Sequence, residues 1–217
     1  MELEYFKEFL CARCFTDLFE KRVKKVIRAN RLLDKSDVVV VGLSGFRDSA
    51  ILLHVFKKIF FKAPKSKLLA VTVDDNTKGR IEFARKLCNN LEVEHFVCKS
   101  EGGVWKALES KSKSLHASKI ALGTSLDDEV EQALERIFSG QKPPAGKANV
   151  IKPLRECPSE EIEEYARLNK ISFIKARKKK SELRESIAGM LYCIELKQPG
   201  SKFKLLKSVD TYRKALG

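Results

Sequence analysis

Asp37-Val38-Val39-Val40-Val41-Gly42-Leu43-Ser44-Gly45-Phe46-Arg47-Asp48-Ser49 is the stretch that decides the fold. Asp37 to Leu43 is apolar and rich in β-branched residues, broken only by Gly42, which suits a central strand buried on both faces. Ser44-Gly45 ends it, and a helix from about Asp48 to Phe60 follows. A strand that feeds a helix through so short a turn brings backbone N–H groups and the positive helix end to one place, which favours a phosphate. The Ser44 and Ser49 hydroxyls add donors, Gly45 permits a tight turn, and Arg47 can neutralise charge. The segment is not a Walker A loop, which needs Gly-x-x-x-x-Gly-Lys. An ordinary βα turn with Asp48 capping the helix fits the same spacing.

On either side, apolar periodicity predicts a basic amphipathic helix over Phe15–Leu33 and helices over Thr77–Asn89, Leu126–Phe138 and Ser159–Leu168. Strands are expected at Leu68–Val73, Glu92–Val97, Lys119–Gly123 and Val150–Leu154, and a Pro/Gly loop at Gln141–Lys147. Asp127, Asp128 and Ser159 read as helix caps. Strands alternating with helices imply an α/β fold: a parallel sheet with right-handed crossovers and helices on both faces. Three parts are expected: residues 1–35 with a Cys-x-x-Cys pair and the basic helix, a central domain over 36–175, and a basic helical extension over 176–217. Ligands of such sheets bind at the carboxyl ends of the strands, which singles out the turns Ser44–Ser49, Asp74–Thr77 and Gly123–Asp128.

The totals bound the function. Of 217 residues, 43 are Lys or Arg and 29 Asp or Glu, a net charge of +14 that favours a polyanionic partner such as RNA. Basic groups lie at Lys21-Arg22 with Lys24, Lys25 and Arg28, at Arg177-Lys178-Lys179-Lys180, and at Lys202, Lys204 and Lys207. Phe15, Trp105 and Tyr192 could stack on bases, though filling the core is the commoner role. No apolar run reaches membrane-spanning length, and the first ten residues carry no signal-peptide core, so a cytoplasmic protein is expected. Most of the six cysteines should then be free thiols, with any close pair a candidate metal site. Cys98, Cys157 and Cys193 read as buried small hydrophobes. His54 reads as structural and His116 as a candidate ligand. No Ser-His-Asp or His-Glu-x-x-His pattern is present.

Ser44-Gly45-Phe46-Arg47-Asp48-Ser49 resembles the Ser-Gly-Gly-x-Asp-Ser signature of the PP-loop ATP pyrophosphatases. Leu122-Gly123-Thr124-Ser125-Leu126-Asp127-Asp128-Glu129 is similar to that family's Asp-Asp-Glu segment, and Ile151-Lys152-Pro153-Leu154-Arg155 with Pro158 to Ala166 to its closing segment. Within the family the chain looks most like the enzymes that 2-thiolate tRNA. The resemblance implies a Rossmann-like sheet of the adenine nucleotide alpha hydrolase type. It implies ATP held by Ser44, Gly45, Arg47, Asp48 and Ser49, with Asp74 and Gly123 near the nucleotide, and Mg²⁺ assisted by Asp127. Asp48 and Asp127 would be the catalytic acids. The partners implied are tRNA, a sulfur-carrier protein and a second copy in a homodimer. Two other reactions or roles stay open: adenylation for amidation or lysidine formation, and an RNA-binding paralogue without catalysis.

The chain departs from the pattern in three places. Phe46 stands where the second glycine belongs. Cys11 and Cys14 supply half of the four ligands that a structural zinc needs. The thiolates that would hold an iron–sulfur cluster are missing, because Trp105–Lys119 has no cysteine and Ala176-Arg177-Lys178-Lys179-Lys180 stands where another is expected. The reading is therefore of a reduced or divergent member.

Overall fold

The computed structural model describes residues 2–3, 8–60, 66–142, 147, 149–175 and 180–216, except the side chains of 2, 3, 8, 9, 60 and 216. A short antiparallel pair, β1 (Glu2–Leu3) and β2 (Glu8–Phe9), precedes helix α1 (Ala12–Ala29). Then follow β3 (Val38–Gly42), α2 (Arg47–Phe60), β4 (Lys67–Asp74), α3 (Arg80–Leu91), β5 (Glu94–Lys99), α4 (Val104–Ser114) and β6 (Lys119–Ala121). The chain continues through α5 (Leu126–Phe138), β7 (Val150–Ile151), α6 (Ser159–Leu168), α7 (Glu182–Lys197) and α8 (Ser201–Leu216). The main sheet is parallel, in the order β5-β4-β3-β6-β7.

Strand β3, built from the apolar run Val38–Gly42, is the middle strand. Side chains alternate across a strand. Val39 and Val41 enter one core with Phe15, Phe19 and Val23 of α1, Leu52 and Phe56 of α2, and Ile162 and Tyr165 of α6. Val40 enters the other, with Ala107 and Leu108 of α4 and Ile120 of β6. Both faces of β3 are therefore covered, which explains why its sequence does not alternate. A third cluster joins Leu126 and Val130 of α5 to Ile187, Leu191 and Leu206 of α7 and α8.

The helix at Leu126–Phe138 has the expected bounds, and the helix ending at Leu168 begins one residue earlier than a Ser159 cap implies, at Ser159 itself. Other edges move for local reasons. Helix α1 starts earlier, because Cys11 takes extended backbone and its sulfur accepts the Cys14 N–H. Helix α3 starts at Arg80, not Thr77, because Asn76 and Gly79 adopt left-handed backbone (φ 63° and 77°). Strand β7 stops at Ile151, before Pro153, which restricts its neighbour and has no N–H to donate. The polar helix α4 has no counterpart among the expected elements. Two cap readings are corrected. Ser125 caps α5 by accepting the Asp128 N–H, and Pro158, not Ser159, is the N-cap of α6. Residues 143–146 of the expected loop and Ala176-Arg177-Lys178-Lys179 of the basic run lie outside the described residues.

Candidate functional site

The loop after β3 is fixed at its root. Leu43 N–H donates to the Val71 carbonyl at 2.8 Å, and the Leu43 carbonyl accepts the hydroxyl of buried Thr72 at 3.0 Å. Thr72 was not singled out in the sequence, because a lone threonine within an apolar strand gives no signal. Gly45 has φ +78°, a conformation side chains rarely adopt, and a Cβ there would lie 2.9 Å from Ile174 Cδ1. The Ile174 N–H donates to the Gly45 carbonyl at 2.9 Å, so the segment after α6 crosses the loop.

The two serines close the turn. Ser49 Oγ accepts the Ser44 N–H at 3.2 Å and donates to the Phe46 carbonyl at 2.9 Å, and the two hydroxyl oxygens are 3.0 Å apart. The first helical bond of α2 runs from Ala50 N–H to the Phe46 carbonyl. The amides of residues 47–49 lie ahead of that ladder, at the positive end of a helix of 14 residues. Arg47 donates from Nε to Asp48 Oδ1 at 2.8 Å and reaches Glu163 of α6 at 3.3 Å. Asp48 itself is buried.

The loop stands where the strand order reverses. From β3 the chain proceeds outward through β4 and β5, then returns to add β6 and β7 on the other side. At that crevice Gly123, just past β6, meets the opening turn of α2. A Cβ on Gly123 would lie 2.5 Å from the Asp48 carbonyl carbon and 2.6 Å from Ser49 N. The two loops thus touch through backbone, and the place a Gly123 side chain would fill belongs to α2.

Asp127 is engaged on both carboxylate oxygens. Oδ1 pairs with Lys202 Nζ at 2.7 Å, and Oδ2 accepts the Ser159 N–H at the start of α6 at 2.7 Å. Burial by itself raises the carboxyl; the Lys202 ammonium and the Ser159 amide outweigh it and hold its pKa below the ordinary aspartate range. Asp128 pairs with Arg184 of α7 at 2.8 Å.

After β4, Asp74 Oδ1 accepts the Asn76 N–H at 3.0 Å, and Asp75 Oδ1 accepts the Thr77 N–H at 3.2 Å. Asp75 also pairs with Arg80 Nη1 at 2.5 Å. The Arg80 guanidinium lies over the Phe46 ring, 5.1 Å from its centre. Phe46 thus turns its ring towards α3. Arg80 is a site feature the sequence did not reveal, since its pattern marks these residues only as part of a helix.

The cysteines are scattered. Cys88 and Cys157 are buried, and burial pushes both thiols up to about 12. Cys98 is half-buried. Cys193 is exposed, against expectation, because it faces away from the core that Ile187 and Leu191 of α7 fill. Cys11 and Cys14 are exposed, and the hydrogen bonds Cys11 accepts from Cys14 lower its thiol pKa. Among the described residues, no three His, Cys, Asp or Glu side chains gather as a metal site, so neither Cys11/Cys14 nor His116 finds further ligands. Of the aromatic candidates for stacking, Phe15 is core and Tyr192 is 57% exposed. Lys21, Lys24, Lys25 and Arg28 line a shallow groove of about 540 Å³ on α1. Among the described residues, no helix is long and apolar enough to cross a membrane.

No protein-family model matches the chain. It is 25% identical to a probable sulfurtransferase of Methanocaldococcus jannaschii, over 98% of this chain and 75% of that protein. It is 26% identical to the tRNA 2-thiolation protein NcsA of Haloferax volcanii, over 97% of this chain and 83% of that one. Its fold superposes on the U34-tRNA thiolase NcsA of Methanococcus maripaludis, solved with its [4Fe-4S] cluster. That match has a TM-score of 0.88 and 20% identity, covering 99% of this chain and 84% of the other. In sequence the chain is thus similar to proteins named as sulfurtransferases and tRNA 2-thiolation proteins, and in fold to a tRNA thiolase.

Proposed function

We propose that the chain is an ATP-dependent tRNA-modifying enzyme of the thiolation type. The observation that carries this reading is the opening turn of α2 at the sheet's switch point, with the amides of 47–49, the Ser44 and Ser49 hydroxyls and a glycine at φ +78° gathered there. The β- and γ-phosphates of ATP would sit on those donors, with Arg47 adding positive charge. A pyrimidine carbonyl oxygen of tRNA attacks the α-phosphorus. The new O–P bond forms as the α–β bridging bond breaks, and pyrophosphate leaves with the loop stabilising its charge. A sulfur nucleophile then attacks the adenylated carbon, forming C–S while C–O breaks and AMP departs. From free sulfide, the adduct loses its S–H proton to give the thiocarbonyl; from a carrier protein's thiocarboxylate, water then cleaves the acyl–sulfur bond and frees the carrier as its carboxylate, and a homodimer is compatible with this reading.

Asp48 serves as a buried anchor for the loop and for Arg47. Asp127 serves to position α6 and α8 rather than to bind Mg²⁺, since Lys202 and Ser159 take its oxygens. Mg²⁺ enters as the counter-ion of ATP. The described cysteines do not fit a [4Fe-4S] cluster or a zinc ion, which need three or four convergent thiolates or comparable ligands, so no step runs through either.

The test is tRNA-dependent exchange of labelled pyrophosphate into ATP, with mass analysis of the nucleosides afterwards. Exchange followed by a 2-thiolated pyrimidine is the expected result. Exchange followed by an amine-substituted base would move the chain to the amidation or lysidine chemistry. RNA binding without exchange would leave a non-catalytic RNA-binding protein. Asp48→Ala should weaken ATP binding by roughly tenfold or more, the usual effect of losing a charged hydrogen-bond partner, as read by calorimetry.

A further inference from the structure

We infer that Arg80 is a phosphate-binding residue of the nucleotide site, supplying the α3 side of the cradle whose α2 side is the loop Ser44–Ser49; the inference rests on the nucleotide reading above. Arg80 is 8% exposed. A buried guanidinium ordinarily has its donors paired. Here Asp75 takes Nη1 at 2.5 Å, while Nε, sealed from solvent, has no hydrogen-bond partner among the described residues. With Nη1 engaged, the donors left over are Nε and Nη2, a side-on fork that matches two oxygens of one phosphate once the side chain shifts to uncover Nε.

The position fits that role. The Cγ of Arg80 lies 3.6 Å from where a Gly45 Cβ would sit, and the guanidinium rests on the Phe46 ring at 5.1 Å. It therefore lies directly beside the loop, held to it by a cation–π contact where an oxyanion would bind it more strongly. The turn that brings it there needs left-handed backbone at Asn76 and Gly79, so α3 begins at the loop and not beyond it. Two unlike features, a positive helix end and a buried cation with an unpaired Nε, thus flank one loop. Phe46 becomes intelligible as the platform that keeps the guanidinium in place.

The experiment is equilibrium binding of inorganic pyrophosphate, ATP and adenosine to the full chain, unaltered and as Arg80→Met and Arg80→Lys, with a thermal melt of each. Arg80→Met should lose roughly tenfold to a hundredfold in affinity for pyrophosphate and ATP and keep its affinity for adenosine. Arg80→Lys, which keeps charge but not the fork, should fall between the two and decides the matter should the methionine variant not fold. If the unaltered chain binds pyrophosphate and both variants match it within twofold, the inference is overturned and the nucleotide reading stands. If the unaltered chain binds neither ATP nor pyrophosphate, both fall.

Discussion

At the scale of single residues, the site depends on places where a side chain is missing or sealed. Gly123 is the clearest. Its absent Cβ is filled by the Asp48 and Ser49 backbone, which cannot give way as a flexible side chain would. Gly123→Ala should cost at least about 2 kcal/mol, read by denaturant unfolding, and should displace the opening turn of α2. His54 is a different case. It is half-buried, with Tyr165 Oη 3.4 Å from its Nδ1 and Lys58 nearby, and burial first, then Lys58, lowers its pKa to about 4. Its folded pKa is below the unfolded value, so the unfolded chain binds the proton more readily. Its contribution to stability is whole above about pH 6.5 and falls as pH drops towards 4. His54→Gln should therefore flatten the acid side of the stability curve in that window; an unchanged slope would refute the assignment. The sequence marked His54 as structural, which its contacts support, but it could not mark Arg80, whose meaning lies in what packs against it.

Among the elements, α5 is the hub of the C-terminal half. Asp127, Asp128, Glu129 and Glu131 pair with Lys202, Arg184, Arg213 and Lys180 from the α7–α8 hairpin and the residues before it, over the shared apolar cluster. Lys202 is 7% exposed and the Asp127 side chain 18%, so Lys202→Met leaves a largely buried carboxylate without its ammonium. We expect a loss of about 3 kcal/mol, with most of it restored in the double variant with Asp127→Asn, by thermal or denaturant unfolding. The folded carboxyl titrates below its ordinary range, so this contribution is present above that range and disappears as pH falls through the folded value. The resemblance assigned Asp127 to metal or nucleotide by motif position. Nothing in that position reveals that a lysine 75 residues further along reaches it.

For the whole molecule, the excess of positive charge is the dominant property. Binding of tRNA should weaken steeply with salt, as counterions are no longer released to advantage. Replacing Lys21, Lys24 and Lys25 with Gln should lower the slope of log affinity against log salt by about one for each phosphate these lysines neutralise, without changing the melting temperature. An unchanged slope would place the RNA elsewhere on the surface.

The sequence alone determined the α/β alternation, the central strand and the loop–helix motif at its end, because these rest on local periodicity, turn residues and helix-end electrostatics within a few consecutive positions. It also determined the net charge. The tertiary structure decided which carboxylates are already spent on lysine and arginine partners, why Gly45 and Gly123 must lack side chains, and that Arg80 lies on Phe46 beside the loop. Those facts depend on contacts between residues distant along the chain, whose distances and burial exist only once the sheet order and helix packing bring them together.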